Sequence, residues 1–133
     1  IHTASVDILC PCALGGVINR NTIPDINALA VAGAANNQLG SPDAGKLLYE
    51  REILFAPDYV INAGGVISGL EAIQAMPGRK TVSISPMEER LSKVHDRLLE
   101  IFAKSDNNNC PPEVIAQAIA QELIGRAPAM EPA

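Results

Sequence analysis

Tryptophan is absent from this chain, and aromatic residues make up only 3% of it. The apolar content of 47% is therefore carried by Ala, Val, Ile and Leu, the composition of strands and helices packed in layers. Cysteine is scarce and odd in number, with Cys10, Cys12 and Cys110 only. That count fits a reducing compartment, and so the cytoplasm, better than a disulfide framework. Cys10 and Cys12 form a Cys-x-Cys, but no His or Cys stands near them to complete a closed four-ligand zinc site. Small buried thiols are the preferred reading, and no metal is expected. No run of Lys or Arg occurs and the net charge is −5, which argues against nucleic acid or an anionic membrane surface as partner. No apolar stretch approaches the ~20 residues needed to span a bilayer, and no signal peptide is visible. There is no P-loop, metal motif or serine-hydrolase elbow. His2 and His95 are the only imidazoles; neither pairs by motif with a nucleophile, and His95 falls on the outer flank of its helix.

What is present is a repeated grammar. Val6-Asp7-Ile8-Leu9 leads into Pro11-Cys12-Ala13-Leu14-Gly15-Gly16. Leu29-Ala30-Val31-Ala32-Gly33 leads into Ala34-Ala35-Asn36-Asn37-Gln38. Asp58-Tyr59-Val60-Ile61 leads into Asn62-Ala63-Gly64-Gly65. Residues 6–10 read as a buried strand and 30–33 as a second. Leu54 to Ile61 gives a third extended segment, divided by Pro57. Thr22 is expected to cap a short helix with Pro24 in its first turn and Asp25 three residues after the cap. Ser41-Pro42-Asp43 starts another helix, whose Leu47 and Leu48 face the sheet. The order is β-α-β-α-β with short links, so the strands are expected to run parallel with helices on their faces. Ligands of such sheets bind beyond the carboxyl ends of the strands. The three Gly- and Asn-rich loops would then line one edge of one cleft.

After Gly65 the spacing turns helical. Val66, Ile67, Leu70 and Ile73 recur until Met76-Pro77-Gly78 stops them. Residues 79–84 read as irregular or weakly extended. Ser85-Pro86-Met87-Glu88 combines a capping Ser, Pro at the first helical position and Glu three residues after the cap. Leu91, Val94, Leu98 and Ile101 form the apolar stripe of that helix, and Asp106-Asn107-Asn108-Asn109 breaks it. Pro111 and Pro112 open a last helix with Ile115, Ala118, Ile119 and Leu123 inward and Gly125 as its end signal. The fold class is α/β, the second half of a Rossmann-type parallel sheet followed by C-terminal helices. Residues 1–67 are the half-sheet, 68–126 the helices that pack on it and toward the cleft, and 127–133 a frayed tail. The phosphate-binding G-x-G-x-x-G belongs to the first half of such a fold and is absent here. The chain opens on Ile1, not Met, so it is expected to be part of a longer protein.

Asn62 is the leading candidate for chemistry. Its amide offers two donors and an acceptor on one plane, while Gly64 and Gly65 let a ligand approach the backbone. The alternative is that Asn62 merely caps the helix those glycines open. Asn36 and Asn37 carry the same ambiguity between binding and turn formation. Ala13 and Leu14 present no polar side chain and could wall a ring or ribose.

Taken together, the segments at 7–16, 22–24, 32–39 and 56–66 resemble, in order and spacing, the amino-acid dehydrogenases that act on leucine, phenylalanine and valine, in the wider glutamate dehydrogenase superfamily. The match is tight over 6–67 and loose over 86–125. The resemblance implies an NAD-binding domain facing an N-terminal catalytic domain across a cleft. It implies reversible oxidative deamination of an L-amino acid to a 2-oxo acid and ammonia. By resemblance, Ala13 and Leu14 lie along the nicotinamide ribose and Asn36 contacts the ribose or nicotinamide. Asn62 bridges nicotinamide and the backbone end of the substrate, beside Gly64, Gly65 and Val66. Leu91 and Val94 align with an apolar pair of the side-chain pocket, although core packing explains them as well. The family's catalytic lysines and aspartate belong upstream of these segments. The connection 68–86 is longer than usual in the family, which with the small aliphatic surroundings points to an apolar or aromatic substrate. A homo-oligomer is expected. The competing readings are a stand-alone binding or assembly module derived from that domain, and an enzyme whose other half is a separate polypeptide.

Overall fold

The computed structural model describes residues 1–74, 76–78 and 86–125. The expectations for 79–84, for Ser85 as a helix cap and for the 127–133 tail lie outside the described residues. Three short strands, β1 (Ile8–Leu9), β2 (Ala30–Val31) and β3 (Leu54–Phe55), form a parallel sheet in the order β1-β2-β3. Ile8 pairs with Ala30 and Ala30 with Leu54; Leu9, Val31 and Phe55 are aligned in the next row. Side chains alternate along a strand, so the two rows point to opposite faces. Val31 and Phe55 are buried, whereas Ile8 is 54% exposed and Leu54 also faces outward. One face of the sheet is therefore covered and the other is open.

The covered face meets a 3-10 turn (Ile23–Asp25) and helix α1 (Ala44–Glu50). Ile18, Ile23, Ile26, Val31, Leu48 and Phe55 interlock there as the main core. Fully burying a side chain such as Leu48 or Phe55 contributes about 1.5–3 kcal/mol. Leu48 is buried and Leu47 packs at the edge of the same cluster, as their spacing predicts. Thr22 differs from expectation. Its hydroxyl donates to the Val17 carbonyl at 2.6 Å and makes no capping bond to the 3-10 turn. Arg51 supplies the local tie, reaching the carbonyls of Ile23 and Ile26.

The third extended segment is also corrected. Only Leu54 and Phe55 are strand; Asp58–Ile61 is a short helix, α2. Pro57 turns the chain, and the carbonyls of Pro57 and Asp58 then accept from Ile61 and Asn62. The β-branched Val60 and Ile61 favour a strand by propensity, but that preference is weak against tertiary contacts. Helix α3 (Gly64–Gln74) follows at once, opening on the two glycines. Most of its stripe is not core: Val66 is 70% exposed, Leu70 and Ile73 are exposed too, and Ile67 is half-buried.

Helix α4 (Met87–Asn108) packs against α2, α3 and the final helix α5 (Pro112–Gly125). The stripe of α4 sinks toward its C-terminal end, from exposed Leu91 through half-buried Val94 and Leu98 to buried Ile101. The expected break at 106–109 comes only at Asn109, which adopts the left-handed conformation with φ 50°. Asn tolerates that region, so a single residue ends the helix. Helix α5 turns a different face inward than the spacing predicts. Pro112, Glu113 and Ala116 are buried, Ile115 and Ile119 are half-buried, and Ala118 and Leu123 are exposed. Contact with β3 and α4 selects that face. The cysteines differ as well. Cys10 and Cys12 are exposed, both in the loop just beyond β1. Among the described residues no cluster of metal-ligating side chains occurs, and no helix is long and apolar enough to cross a membrane.

Candidate functional site

Because the strands are parallel, the segments after Leu9, Val31 and Phe55 leave the sheet at the same edge. Backbone bonds then bind the first two loops together. Ala35 N–H donates to the Pro11 carbonyl at 2.9 Å, and Gly16 N–H donates to the Asn37 carbonyl at 2.7 Å. Close approach dictates the glycines. A methyl group at Gly33 would overlap the backbone of Pro11, and one at Gly15 would stand 2.8 Å from the Asn36 carbonyl. Asn37 is left-handed, with φ 52°, so it is the turn residue of the adjacent pair. Asn36 is thereby freed to face its neighbour.

That neighbour is Asn62. Its Nδ2 donates to the Asn36 Oδ1 at 2.6 Å and to the Ala34 carbonyl at 3.3 Å. Asn62 is half-buried and Asn36 exposed. The pair joins the loop after β2 to the turn between α2 and α3. Asn62 also occupies the C-terminal end of α2. Its side-chain bonds run across to the β2 loop rather than onto the start of α3.

Around this pair the other expected residues are distributed as follows. Ala13 and Leu14 are exposed on the first loop, just before the glycines that contact Asn36 and Asn37. Gly64, Gly65 and Val66 form the first turn of α3. A methyl group at Gly65 would meet nothing within 4 Å, while one at Gly64 would sit 3.6 Å from the Leu91 Cδ2. Leu91 thus leans over the glycine turn. Val94 lies one helical turn further along α4 and is half-buried.

A model of the Glutamate/Leucine/Phenylalanine/Valine dehydrogenase family matches residues 1–131. The chain belongs to this family. A valine dehydrogenase of Streptomyces coelicolor is 40% identical over 127 residues, 96% of this chain and 33% of that protein. A leucine dehydrogenase of Geobacillus stearothermophilus is 38% identical over 124 residues, 93% of this chain and 32% of that protein. The crystal structure of L-tryptophan dehydrogenase from Nostoc punctiforme superposes with a TM-score of 0.81 at 36% identity, covering 94% of this chain and 36% of that one. The chain therefore spans about a third of the length of these relatives. The structural likeness agrees with the Rossmann-type reading of its parallel sheet and C-terminal helices.

Two residues of the chain escaped the sequence reading. Gln38 is fully buried, and its Nε2 donates to the carbonyls of Gly33 at 2.7 Å and Ala35 at 2.9 Å. Asp58 is buried at the start of α2, where its carboxylate accepts from Gln38 N–H and Tyr59 N–H. Polar residues are usually exposed, and neither forms part of a spacing pattern. The one available signal was an acid directly after a proline, at the first turn of what proved to be a helix. Nearby, Glu113 is 8% exposed and lies against Gly45 of α1. Burial holds its carboxyl above the ordinary range. The Tyr59 hydroxyl, 3.5 Å from the Glu113 carbonyl, is also raised, first by burial and then by the charges of Asp58 and Glu113.

Proposed function

We propose that this chain is the C-terminal coenzyme-binding portion of an NAD-dependent dehydrogenase of apolar or aromatic L-amino acids. Residues 1–67 supply the half-sheet and its loops, and 68–126 the helices that reach toward the cleft. The observation that carries this reading is the Asn36–Asn62 contact at the shared edge of the sheet. Two planar amides side by side suit a planar carboxamide, since each can donate and accept in its own plane. The exposed Leu14 offers an apolar wall near them, and the open space over Gly65 leaves room for a ring. Among the described residues no partner engages the Asn62 Oδ1, so that acceptor remains for a ligand. When bound, the nicotinamide ring accepts a hydride. This chain's own residues orient that ring and the substrate against each other, a contribution that a misplacement of about 1 Å can cut by about 10²-fold.

The position of Leu91 against Gly64 supports a role for Leu91 and Val94 in lining the space for the substrate side chain. One methylene in such a pocket discriminates by about 1–3 kcal/mol. The lysines and aspartate of the implied chemistry come, in this reading, from the other two thirds of a protein as long as the relatives. Assembly into a homo-oligomer belongs to the same proposal.

The test is Asn62→Ala in the full-length protein, assayed with NAD and a panel of valine, leucine, phenylalanine and tryptophan. The kcat/KM is expected to fall by about 10²-fold, the scale set by misplacement of reacting groups. The melting temperature should change little, because the lost hydrogen bonds are partly exposed and worth about 1 kcal/mol at most. Unaltered kinetics in that variant would remove Asn62 from the site.

A further inference from the structure

We infer that Asp58 is the positioning residue of the amide pair: its carboxylate locks the loop after β2 to α2 and so fixes where Asn36 and Asn62 meet. The inference rests on the proposed reading of that pair.

Asn36, Gln38, Asp58 and Asn62 close a ring. Two residues of chain lead from Asn36 to Gln38. The Gln38 N–H donates to the Asp58 Oδ2 at 3.1 Å. One helical turn leads from Asp58 to Asn62, whose N–H donates to the Asp58 carbonyl at 2.9 Å. The Asn62 amide then returns to Asn36 at 2.6 Å. Two of these joints are side-chain contacts, and they differ in surroundings. The Gln38–Asp58 joint is buried, with Gln38 at 0% and Asp58 at 9% exposure. The Asn36–Asn62 joint faces water.

An exposed amide–amide bond competes with solvent and contributes little by itself. A buried carboxylate is costly unless its oxygens are hydrogen-bonded. Here both oxygens are, the second by Tyr59 N–H at 3.0 Å. The buried joint is therefore the stiff one, and the exposed joint inherits its geometry. Gln38 reinforces the loop side, because its Nε2 gathers the carbonyls of Gly33 and Ala35 into one curl. Neither Asp58 nor Gln38 needs to touch coenzyme or substrate to act this way.

The test is a double-mutant cycle in the full-length protein. Asp58→Asn keeps the shape but sets a donor against an N–H. With Asn62 intact it should lower kcat/KM for NAD and the best apolar L-amino acid by about tenfold. In an Asn62→Ala background it should cost less than about threefold, because it acts through the pair. A purely structural role would give equal losses in both backgrounds, and equal losses overturn the inference. No loss with Asn62 intact overturns it too. If Asn62→Ala itself is silent, the reading of the amide pair fails and the positioning role fails with it. If Asn62→Ala is impaired while Asp58→Asn is not, only the positioning role fails. Should Asp58→Asn not fold, hydrogen exchange on the unaltered protein tests the buried joint itself. The Gln38 amide must exchange far more slowly than those of Asn36 and Asn37; equal rates overturn the inference.

Discussion

The strand-end loops and helix α3 stand beside each other and are built in opposite ways. At the loops, polar groups go inside: Gln38 after β2 and Asp58 at the start of α2 are buried and tie segments 20 residues apart. In α3, most apolar groups stay outside: Val66, Leu70 and Ile73 are exposed and Ile67 is half-buried. The loops are held by hydrogen bonds and by glycines where backbones touch. The described ties of α3 to α4 include the Arg90 guanidinium on the Ile67 carbonyl and Leu91 against Gly64. An apolar stripe thus located a helix without locating the core. The rigid part of the rim was marked instead by residues that pattern reading assigns to the surface.

Several variants would break or sharpen that contrast. The largest effect is expected from Gly33→Ala. The added methyl would overlap the Pro11 backbone, which cannot yield as a flexible side chain would. Denaturant melts should show a loss of about 3 kcal/mol or more, the upper end of what overpacking costs. A loss below about 1 kcal/mol would mean that the loops are not locked together.

A smaller effect is expected at Glu113. Its carboxyl is raised by burial, so the folded protein holds this proton where the unfolded chain has released it. Stability should therefore fall as pH rises from the unfolded carboxyl value, about 4.3 for Glu, through the raised folded value, and level off above it. Glu113→Gln keeps the volume and should remove that slope. Thermal melts between pH 4 and pH 8 check it, with an unchanged slope in the variant as the contrary result.

The smallest effect is expected from Ile73→Ser on α3, within about 0.5 kcal/mol, as for surface substitutions generally. A loss above about 2 kcal/mol would show that this stripe is covered, and would erase the difference between the two regions.

Much of this was legible along the chain. Strands within 6–10 and 30–33, the helix that buries Leu48 and the glycine opening of α3 follow from local pattern, although the first strand, expected to be buried, is largely exposed. So does the gathering of three loops at one edge, since parallel strands must end on the same side. The failures have a common cause. Val60 and Ile61 became helical after the turn at Pro57. The inner face of α5 was chosen by β3 and α4 rather than by its own spacing. Cys10 and Cys12 are exposed in the loop beyond β1, one of the two edge strands. Each outcome depends on a neighbour remote in sequence.

The order of residues by itself determined the sheet, its parallel sense and the presence of amides and glycines at its carboxyl edge, because periodicity and turn chemistry are local properties. Only the tertiary structure decided which asparagine turns the chain and which meets Asn62. Only it revealed the buried bond from Gln38 to Asp58. A hydrogen bond between distant segments leaves no period in a sequence; it exists only where the folded backbone brings a donor and an acceptor within about 3 Å.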